Sequence, residues 1–320
     1  MPDARPTPAG DPKGSILLTG ATGFIGRRLL DRLLADGWRV RVLARSTSAH
    51  FGTLNSGAEV VHGSLTDAAA LGRGVAGTFA VINCAGTVRG SRFEDFEPAN
   101  VTGVRALCEA ITRQRTPPAL LHLSSLAAEA PELSHYARSK QEGERVLHAC
   151  DALRWTVLRP PAVYGPGDTE MRPALSWARR GLVPVPGGDP KQRLSMLHVD
   201  DLVEAVCAWL KSPASHLQQT YALDDGKADG YDWHELAAAV SSARSRKPIF
   251  VPLPAGLLNA VAWLNESLSR LTGRAVMLSR GKVRELTRAR WVADGTAFRR
   301  ASGWAPRIGL AQGVSGLFES

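Results

Sequence analysis

A tyrosine and a lysine stand four residues apart in the segment Tyr136-Ala-Arg-Ser-Lys140. On a helix, residues four apart share one face, so the phenol and the ammonium would point the same way. A neighbouring positive charge favours the ionised form of a phenol, and we therefore predict that Lys140 lowers the pKa of Tyr136. Tyr136 would then donate and accept a proton near neutral pH.

Two serines follow each other just before this pair. Ala119–Ser124 is a predicted strand, and Ser125 comes directly after it. In a parallel α/β sheet the ligand crevice lies outside the carboxyl ends of the strands. We choose Ser125 as the side chain that binds the reacting oxygen. Ser124 stays open as the alternative, because adjacent residues of a strand face opposite sides.

A glycine-rich turn joins the first predicted strand, Ser15–Thr19, to the first predicted helix, Phe24–Leu34. Gly20, Gly23 and Gly26 have the spacing GxxGxxG. The first would permit a tight turn, the second a close approach to a pyrophosphate, and the third close packing of helix on strand. Phosphates would lie at the positive helix N-terminus, so the turn predicts a dinucleotide site.

The end of the second predicted strand, Arg39–Ala44, indicates which dinucleotide is used. NAD enzymes typically place an acidic residue there for the ribose 2′-hydroxyl, whereas NADP enzymes place an arginine nearby for the 2′-phosphate. Here Ala44 occupies the acidic position, Arg45 follows it, and Arg27 would add a second positive charge. We predict that NADP(H) is preferred over NAD(H). The alternative is that Arg45 is only a solvated loop charge.

Strands and helices alternate along the first two thirds of the chain. The predicted strands are 15–19, 39–44, 58–61, 78–84, 119–124 and 155–158, and the predicted helices are 24–34, 95–112, 134–149 and 199–210. This alternation predicts an α/β fold, a Rossmann-type doubly wound parallel sheet.

The pattern changes after Arg159, where Pro and Gly become frequent, and from Asp229 onward it is mostly helical. We predict a flexible tail over 1–13 and an NADP-binding Rossmann domain over 14–165 with about 198–225. Residues of about 166–197 with 226–320 would form a smaller, mostly helical C-terminal substrate domain.

The composition excludes several other classes of protein. With 44% hydrophobic and 22% charged residues, the chain is neither disordered nor fibrous. Its four cysteines form no CxxC pair and its eight histidines no HExxH motif, so we predict no metal site. The sequence has no secretory h-region and no apolar run of about 18 residues. We predict a cytoplasmic protein, with the inner face of the cytoplasmic membrane as a second location.

Positive charge is concentrated near the C-terminus. The net charge is +9, and ten basic residues but only two acidic ones lie between Arg270 and Arg307. Few aromatic residues accompany them, so we predict no nucleic-acid partner. An apolar stripe at spacings of 4, 3, 4 and 3 precedes or overlaps this stretch and comprises Leu257, Val261, Leu264, Leu268 and Leu271.

The stripe has two interpretations. It packs on the domain core, as in most amphipathic helices, or residues 253–307 make peripheral contact with an anionic membrane. A small molecule or a lipid would be the substrate under both interpretations. Monomer and homodimer both stay open.

Five motifs in order resemble the extended short-chain dehydrogenase/reductase family. They are TGATGFIG from Thr19, Asn83-Cys-Ala-Gly86, Asn100-Val-Thr-Gly103, the set Ser125, Tyr136 and Lys140, and Leu158-Arg-Pro-Pro-Ala-Val-Tyr-Gly-Pro-Gly-Asp168. His198-Val-Asp-Asp-Leu202 matches a further segment, which would be structural. The resemblance implies a Rossmann sheet with a small C-terminal substrate domain. It also implies hydride transfer to or from a carbonyl carbon, with catalytic Ser125, Tyr136 and Lys140.

The same resemblance implies the binding residues. Those for the cofactor would be Gly20, Thr22, Gly23, Phe24, Ile25, Gly26, Arg45, Ser64, Leu65, Ala85, Gly86, Tyr136, Lys140, Pro160 and Val163. Those for the substrate would be Thr87, Leu126, Tyr164 and Arg193. Asn100 would pin a helix. Ser64 departs from the family pattern, in which an aspartate precedes the leucine.

The segment Leu158-Arg-Pro-Pro161 resembles the steroid dehydrogenase and dihydroflavonol reductase branches, since sugar-nucleotide epimerases carry an Arg-Tyr-Phe-Asn-like phrase there. Ser125 and Tyr136 are only eleven residues apart. Together these phrases resemble the bacterial reductases of sphingolipid synthesis. They imply NADPH-dependent reduction of the 3-oxo group of oxidised ceramide or 3-oxo-sphinganine. A nucleotide-sugar epimerase/dehydratase, with Arg193 clamping a diphosphate, is the main alternative. A non-catalytic NADP-binding protein is a minor one.

Overall fold

The computed structural model describes residues 13–48, 51–54, 56–241, 247–272 and 276–317. Within them the strands are β1 (Lys13–Thr19), β2 (Trp38–Ala44), β3 (Glu59–His62), β4 (Ala80–Asn83), β5 (Ala119–Leu123), β6 (Trp155–Arg159), β7 (Ala162–Tyr164), β8 (Leu182–Pro186), β9 (Arg193–Leu194), β10 (Met196–His198), β11 (Gln219–Ala222), β12 (Ile249–Leu253) and β13 (Arg290–Trp291). The α-helices are α1 (Phe24–Ala35), α2 (Ala68–Val75), α3 (Gly103–Thr112), α4 (His135–His148), α5 (Arg172–Arg179), α6 (Val199–Lys211), α7 (Trp233–Ser241), α8 (Ala255–Thr272), α9 (Arg280–Leu286), α10 (Thr296–Ser302) and α11 (Leu310–Gly316). Residues 1–12 of the predicted tail and Arg274 of the basic stretch lie outside the described residues, and Lys13 already belongs to β1.

Seven parallel strands form the central sheet in the order β11-β6-β5-β4-β1-β2-β3. β1 has β2 on one side and β4 on the other, so the strand order reverses beside β1. In a doubly wound sheet a ligand binds outside the carboxyl ends of the strands at this reversal. The predicted Rossmann-type fold is confirmed.

Strand alternation sends apolar side chains into a core on each face of the sheet. Ile16 and Leu18 face the core covered by α1 and α6, whereas Leu17 faces the core covered by α2 and α3. Every residue of β4 and β5 is buried, as expected for parallel strands covered on both faces. The sheet is therefore a fixed support for the loops at its carboxyl edge.

A third core lies in the C-terminal part, where helices α5, α7 and α11 pack together. Three two-stranded parallel sheets accompany it, formed by β7 with β10, β8 with β12, and β9 with β13. The predicted helical character of this part is confirmed, but the sequence predicted none of the strands β7 to β13. Helix α10 and the residues just after it pack on the sheet, because Phe298 and Trp304 belong to the core beside α1 and α6. Residues near 298–304, which the predicted division gives to the substrate domain, therefore pack on the sheet instead.

The helix predicted over 95–112 is interrupted. Phe93–Asp95 is a 3-10 turn, Pro98–Thr102 is a π-helical turn, and the α-helix begins only at Gly103. Single π turns are frequent at functional sites. Among the described residues, none of the helices has both the length and the apolar character that crossing a membrane requires.

Candidate active site

Helix α4 positions Tyr136 and Lys140. The helix begins at His135, and Ser134 caps it by accepting a hydrogen bond from the amide of Ala137 at 2.9 Å. The pair therefore lies in the first two turns, on one face. The Lys140 side chain is buried, and its Nζ donates to the carbonyl of Leu123, the last residue of β5, at 2.8 Å. Lys140 thus ties α4 to the carboxyl edge of the sheet.

The structure distinguishes the two candidate serines. Ser125 follows β5 and caps the 3-10 turn Leu126–Glu129. The Ser125 side chain lies beside the Tyr136 phenol and lowers its pKa. The Ser124 hydroxyl instead donates to the buried carboxylate of Glu144. The structure therefore brings Ser125, and not Ser124, to the tyrosine.

The charges around Tyr136 differ from the sequence prediction. Burial raises the pKa of Tyr136, and the groups that lower it are the Ser125 hydroxyl and the Lys282 ammonium, while Glu285 raises it. Lys140, which we predicted to lower this pKa, instead bonds the Leu123 carbonyl. Burial lowers the pKa of Lys140 itself to about 8. The prediction for Lys140 is therefore wrong, because its ammonium bonds the carbonyl at the end of β5 rather than the phenol.

The second cation at the site comes from the C-terminal part. Lys282 of α9 has its Nζ 5.9 Å from the centre of the Tyr136 ring and 2.8 Å from a carboxylate oxygen of Glu285. Glu285 also accepts a hydrogen bond from the Ser134 hydroxyl, the cap of α4. Sequence reasoning missed Lys282 because it is 146 residues beyond Tyr136. Its only signal was its place in the basic stretch.

A cavity lies beside the Tyr136 ring. Its walls come from the loop after β4, from the start of α4 and from the segment around α9. Residues that line it include Val88, Gly90, Phe96, Ser134, Tyr136, Met277, Ser279, Lys282 and Glu285. The amide of Gly90 donates to the carbonyl of Val276, so the loop and the C-terminal segment are joined at its rim. The cavity therefore lies between the loop after β4, the start of α4 and the C-terminal segment around α9.

Asn100 fixes the loop that leads into this cavity. Its Oδ1 accepts from the amide of Thr87 at 2.9 Å, and its Nδ2 donates to the Thr87 carbonyl at 3.0 Å and to the Ser139 hydroxyl at 2.8 Å. These bonds join the loop after β4 to helix α4. The pinning role implied by the resemblance agrees with this geometry. Gly143 permits it, because a Cβ there would lie 2.3 Å from the Asn100 carbonyl oxygen.

The glycine turn has the bare backbone that a pyrophosphate requires. Gly20 has φ +73°, and a Cβ on it would lie 2.6 Å from the amide nitrogen of Ala85. A Cβ on Gly26 would lie 2.1 Å from the Gly20 carbonyl oxygen. Gly23 precedes α1 and offers no side chain to its first amides. These residues fit a dinucleotide phosphate at the N-terminus of α1.

The remaining predicted cofactor residues follow the carboxyl ends of neighbouring strands. On the glycine turn, Thr22, Phe24 and Ile25 are partly exposed. Arg45 is exposed just after β2, and Ser64 and Leu65 come after β3. Ala85 and Gly86 come after β4, and Pro160 and Val163 come after β6. A Cβ on Gly86 would lie 3.8 Å from the Lys140 Nζ, which joins this row to the catalytic set. The Ser64 hydroxyl forms a hydrogen bond with the Thr66 hydroxyl. The structure brings these residues to one edge, and their contacts with a cofactor stay predictions.

Two of the four predicted substrate residues lie elsewhere. Tyr164 has an exposed fraction of 0% and packs in the third core, with its ring against His198. The pairing of β7 with β10 turns it inward, so Tyr164 is a core residue rather than a substrate contact. Thr87 is held by Asn100 beside the cavity, and Leu126 is buried directly after Ser125.

Arg193 is the second predicted substrate residue that lies elsewhere. The pairing of β9 with β13 holds its strand, and its guanidinium lies 2.9 Å from Glu235 and 3.8 Å from Asp232. Two carboxylates therefore already balance the charge that we expected to clamp a diphosphate. The structure gives Arg193 a role in joining β9 to α7 instead.

Comparison with known families agrees with this geometry. The model of the NAD dependent epimerase/dehydratase family matches residues 16–223. The chain belongs to this family. The matched segment contains the glycine turn, Ser125, Tyr136 and Lys140. The chain is therefore an extended short-chain dehydrogenase/reductase, an oxidoreductase of a family that depends on a nicotinamide dinucleotide.

Its relatives include two reductases. The chain is 36% identical to the ceramide reductase of Caulobacter vibrioides over 96% of this chain and 94% of that protein. It is 30% identical to the 2-alkyl-3-oxoalkanoate reductase of Stenotrophomonas maltophilia, over 94% of this chain and 98% of that protein. Among solved structures, the UDP-glucose 4-epimerase of Thermotoga maritima has a TM-score of 0.71 and 20% identity, covering 95% of this chain and 97% of its own. That likeness shows the shared fold.

We expect Lys282→Gln to move the alkaline limb of the pH profile of carbonyl reduction to higher pH. Reduction needs the protonated phenol, so its rate falls as the pH passes the pKa of Tyr136. Lys282 lowers that pKa against burial and Glu285, so its neutral replacement raises the pKa and the fall occurs later. Ser125 and Lys140 are unchanged in the variant. The measurement is kcat against pH.

Arg284→Gln is the matched control, because it removes a charge from the same helix at an exposed position that bonds the Leu133 carbonyl. Its profile should coincide with that of the wild type. Equal shifts in both variants would mean that only the overall charge matters and would contradict the specific effect of Lys282.

Proposed function

We propose that this protein is an NADPH-dependent carbonyl reductase of long-chain 3-oxo lipids, with oxidised ceramide or 3-oxo-sphinganine as the substrate. The observation that carries the proposal is the placement of Ser125 beside Tyr136 at the carboxyl edge of the sheet, with Lys140 one turn further along α4. The names of the two reductase relatives support the choice of a keto substrate.

The residues of the chain supply everything but the hydride. Bound NADPH supplies the hydride that the carbonyl carbon receives. Ser125 orients the carbonyl oxygen, and Tyr136 gives its phenolic proton to that oxygen as the C=O π bond breaks. The product is a secondary alcohol with one new C–H and one new O–H bond, and the phenolate recovers its proton from solvent. Lys140, which lies beside Gly86, would hold the nicotinamide ribose.

Three features of the chain support an apolar keto substrate over a sugar nucleotide. The cavity beside Tyr136 is lined by Val88, Phe96 and Met277 as well as by polar groups. Arg193, the cation that a diphosphate would need, is paired with Glu235 and Asp232. The Leu158–Pro161 segment supports the same choice.

Arg45→Ala should weaken NADPH binding by roughly 1–3 kcal/mol and leave NADH binding nearly unchanged, because a charge-assisted bond to the 2′-phosphate is lost. Arg45 is exposed just after β2, and the acidic position before it is held by the buried Ala44. The measurement is the dissociation constant of each cofactor, by tryptophan fluorescence or calorimetry. A wild type that binds NADH more tightly than NADPH would contradict the NADP preference.

The chain length of the substrate tests its class. Each methylene buried in the site contributes about 0.8 kcal/mol, or about fourfold in binding, so KM for a 3-oxo-ceramide should fall as its acyl chain lengthens until the site is filled. The assay follows NADPH loss with a series of acyl chains. No oxidation at any length, together with tight binding of a UDP-sugar, would favour the nucleotide-sugar epimerase instead.

A further inference from the structure

Helix α8 turns its apolar stripe away from the protein. Leu257, Val261, Leu264, Leu268 and Leu271 have exposed fractions of 56, 42, 61, 56 and 85%. The residues of α8 that are buried, Ala262 and Glu266, lie on the opposite side of the helix. The interpretation of the stripe as core packing is therefore wrong.

An outward apolar stripe is unusual in a protein surrounded only by water. Amphipathic helices normally bury such a stripe, and a contiguous exposed apolar patch marks a surface that binds something. Trp263 borders the stripe with 58% of its side chain exposed. The strand that leads into the helix, β12, also exposes Ile249 and Val251. The surface of α8 therefore needs a partner with an apolar interior.

The charges around the stripe are positive. The acid of α8, Glu266, is buried and accepts bonds from the amide and the Nε of Arg280 at 2.8 and 2.9 Å. Arg270, at the end of the helix, and Arg280 and Arg284 of α9 are exposed. α8 and α9 meet on the side of α8 that carries Glu266, so Arg280 belongs to that buried side, and Arg270 is the exposed charge of α8 itself. The partner must therefore accept leucine side chains and carry negative charge.

We propose that α8 lies flat on an anionic membrane surface. The leucine stripe would enter the boundary of headgroups and acyl chains, and the exposed Arg270 would reach the lipid phosphates. A second copy of the chain fits less well, because a symmetric contact across α8 would bring arginines of like charge together. This surface is independent of the proposed reaction. It is linked to the site through α9, which carries Lys282 to Tyr136.

The test is co-sedimentation of the full chain with lipid vesicles, without cofactor or substrate. The probes are vesicles of phosphatidylcholine alone and of phosphatidylcholine mixed with phosphatidylglycerol. We expect binding to the mixed vesicles and little to the neutral ones. The affinity of the double variant Leu264→Glu/Leu268→Glu for the mixed vesicles should fall at least roughly tenfold, because two leucines that the membrane would bury are lost. The affinity of Arg270→Glu for the mixed vesicles should fall at least roughly fivefold.

Phe79→Glu is the matched control. Phe79 is 47% exposed and lies just before β4, at the amino-terminal edge of the sheet. It should bind vesicles as the wild type does. Absence of wild-type binding to both vesicles, or an equal loss in Phe79→Glu, would overturn the proposal. A wild-type dimer that the double leucine variant dissociates, without vesicle binding, would assign the surface to a second copy. Because no substrate is present, failure here leaves the proposed reduction intact.

Discussion

Tyr136→Phe should lower the turnover of carbonyl reduction by about 10²–10⁴-fold, with cofactor binding unchanged. The variant removes the proton that the carbonyl oxygen receives, but it keeps the volume of the ring and its contact with Phe96. The measurement is single-turnover NADPH oxidation, with the dissociation constant of NADPH determined in parallel.

Tyr164→Phe is the control for this change. Tyr164 is fully buried, and its hydroxyl has no hydrogen-bond partner among the described residues. Its removal should leave turnover and folding as they are. Near-normal turnover of Tyr136→Phe would contradict the assignment of Tyr136 as the proton donor.

Gly26→Ala should abolish measurable dinucleotide binding and lower the free energy of unfolding by roughly 1–3 kcal/mol or more. The new Cβ would lie 2.1 Å from the Gly20 carbonyl oxygen and 2.9 Å from the Ala21 Cα. Both are backbone atoms of the phosphate turn, so the turn itself must move. Urea unfolding and cofactor titration measure the two effects.

Gly72→Ala distinguishes this collision from a general intolerance of alanine. Gly72 lies within α2, and a Cβ there meets nothing within 4 Å. The substitution should raise stability by roughly 0.5–1 kcal/mol, as expected for a glycine inside a helix. Unchanged NADPH binding by Gly26→Ala would contradict the placement of the pyrophosphate.

The sequence predicted those parts of the site that depend on local spacing. Tyr136 and Lys140 are one helical turn apart, and Gly20, Gly23 and Gly26 lie within a single turn, so short-range geometry alone brings each group together. Six of the seven strands of the sheet were predictable for the same reason, since each is a short apolar segment.

The errors concern residues whose position depends on distant pairing. Lys282 reaches Tyr136 only because α9 packs at the start of α4 through Glu285 and Ser134. Arg193 pairs with Glu235, which is 42 residues further along the chain, and Tyr164 is turned inward by the pairing of β7 with β10. No local pattern indicates such contacts.

The outward face of α8 shows a similar limit. Its spacing predicted an amphipathic helix, but spacing cannot show which side of a helix meets the rest of the chain. The buried Glu266 and its bonds to Arg280 settle that side, and this contact joins residues 14 apart in sequence.

The measurement that tests the reductase assignment most directly is transfer of deuterium from NADPH labelled at the transferred position to a long-chain 3-oxo-ceramide. The assignment predicts one deuterium on the new carbinol carbon for each NADPH consumed, and none with Tyr136→Phe over the same time. Unlabelled product without net loss of NADPH, or no product at all, would contradict it.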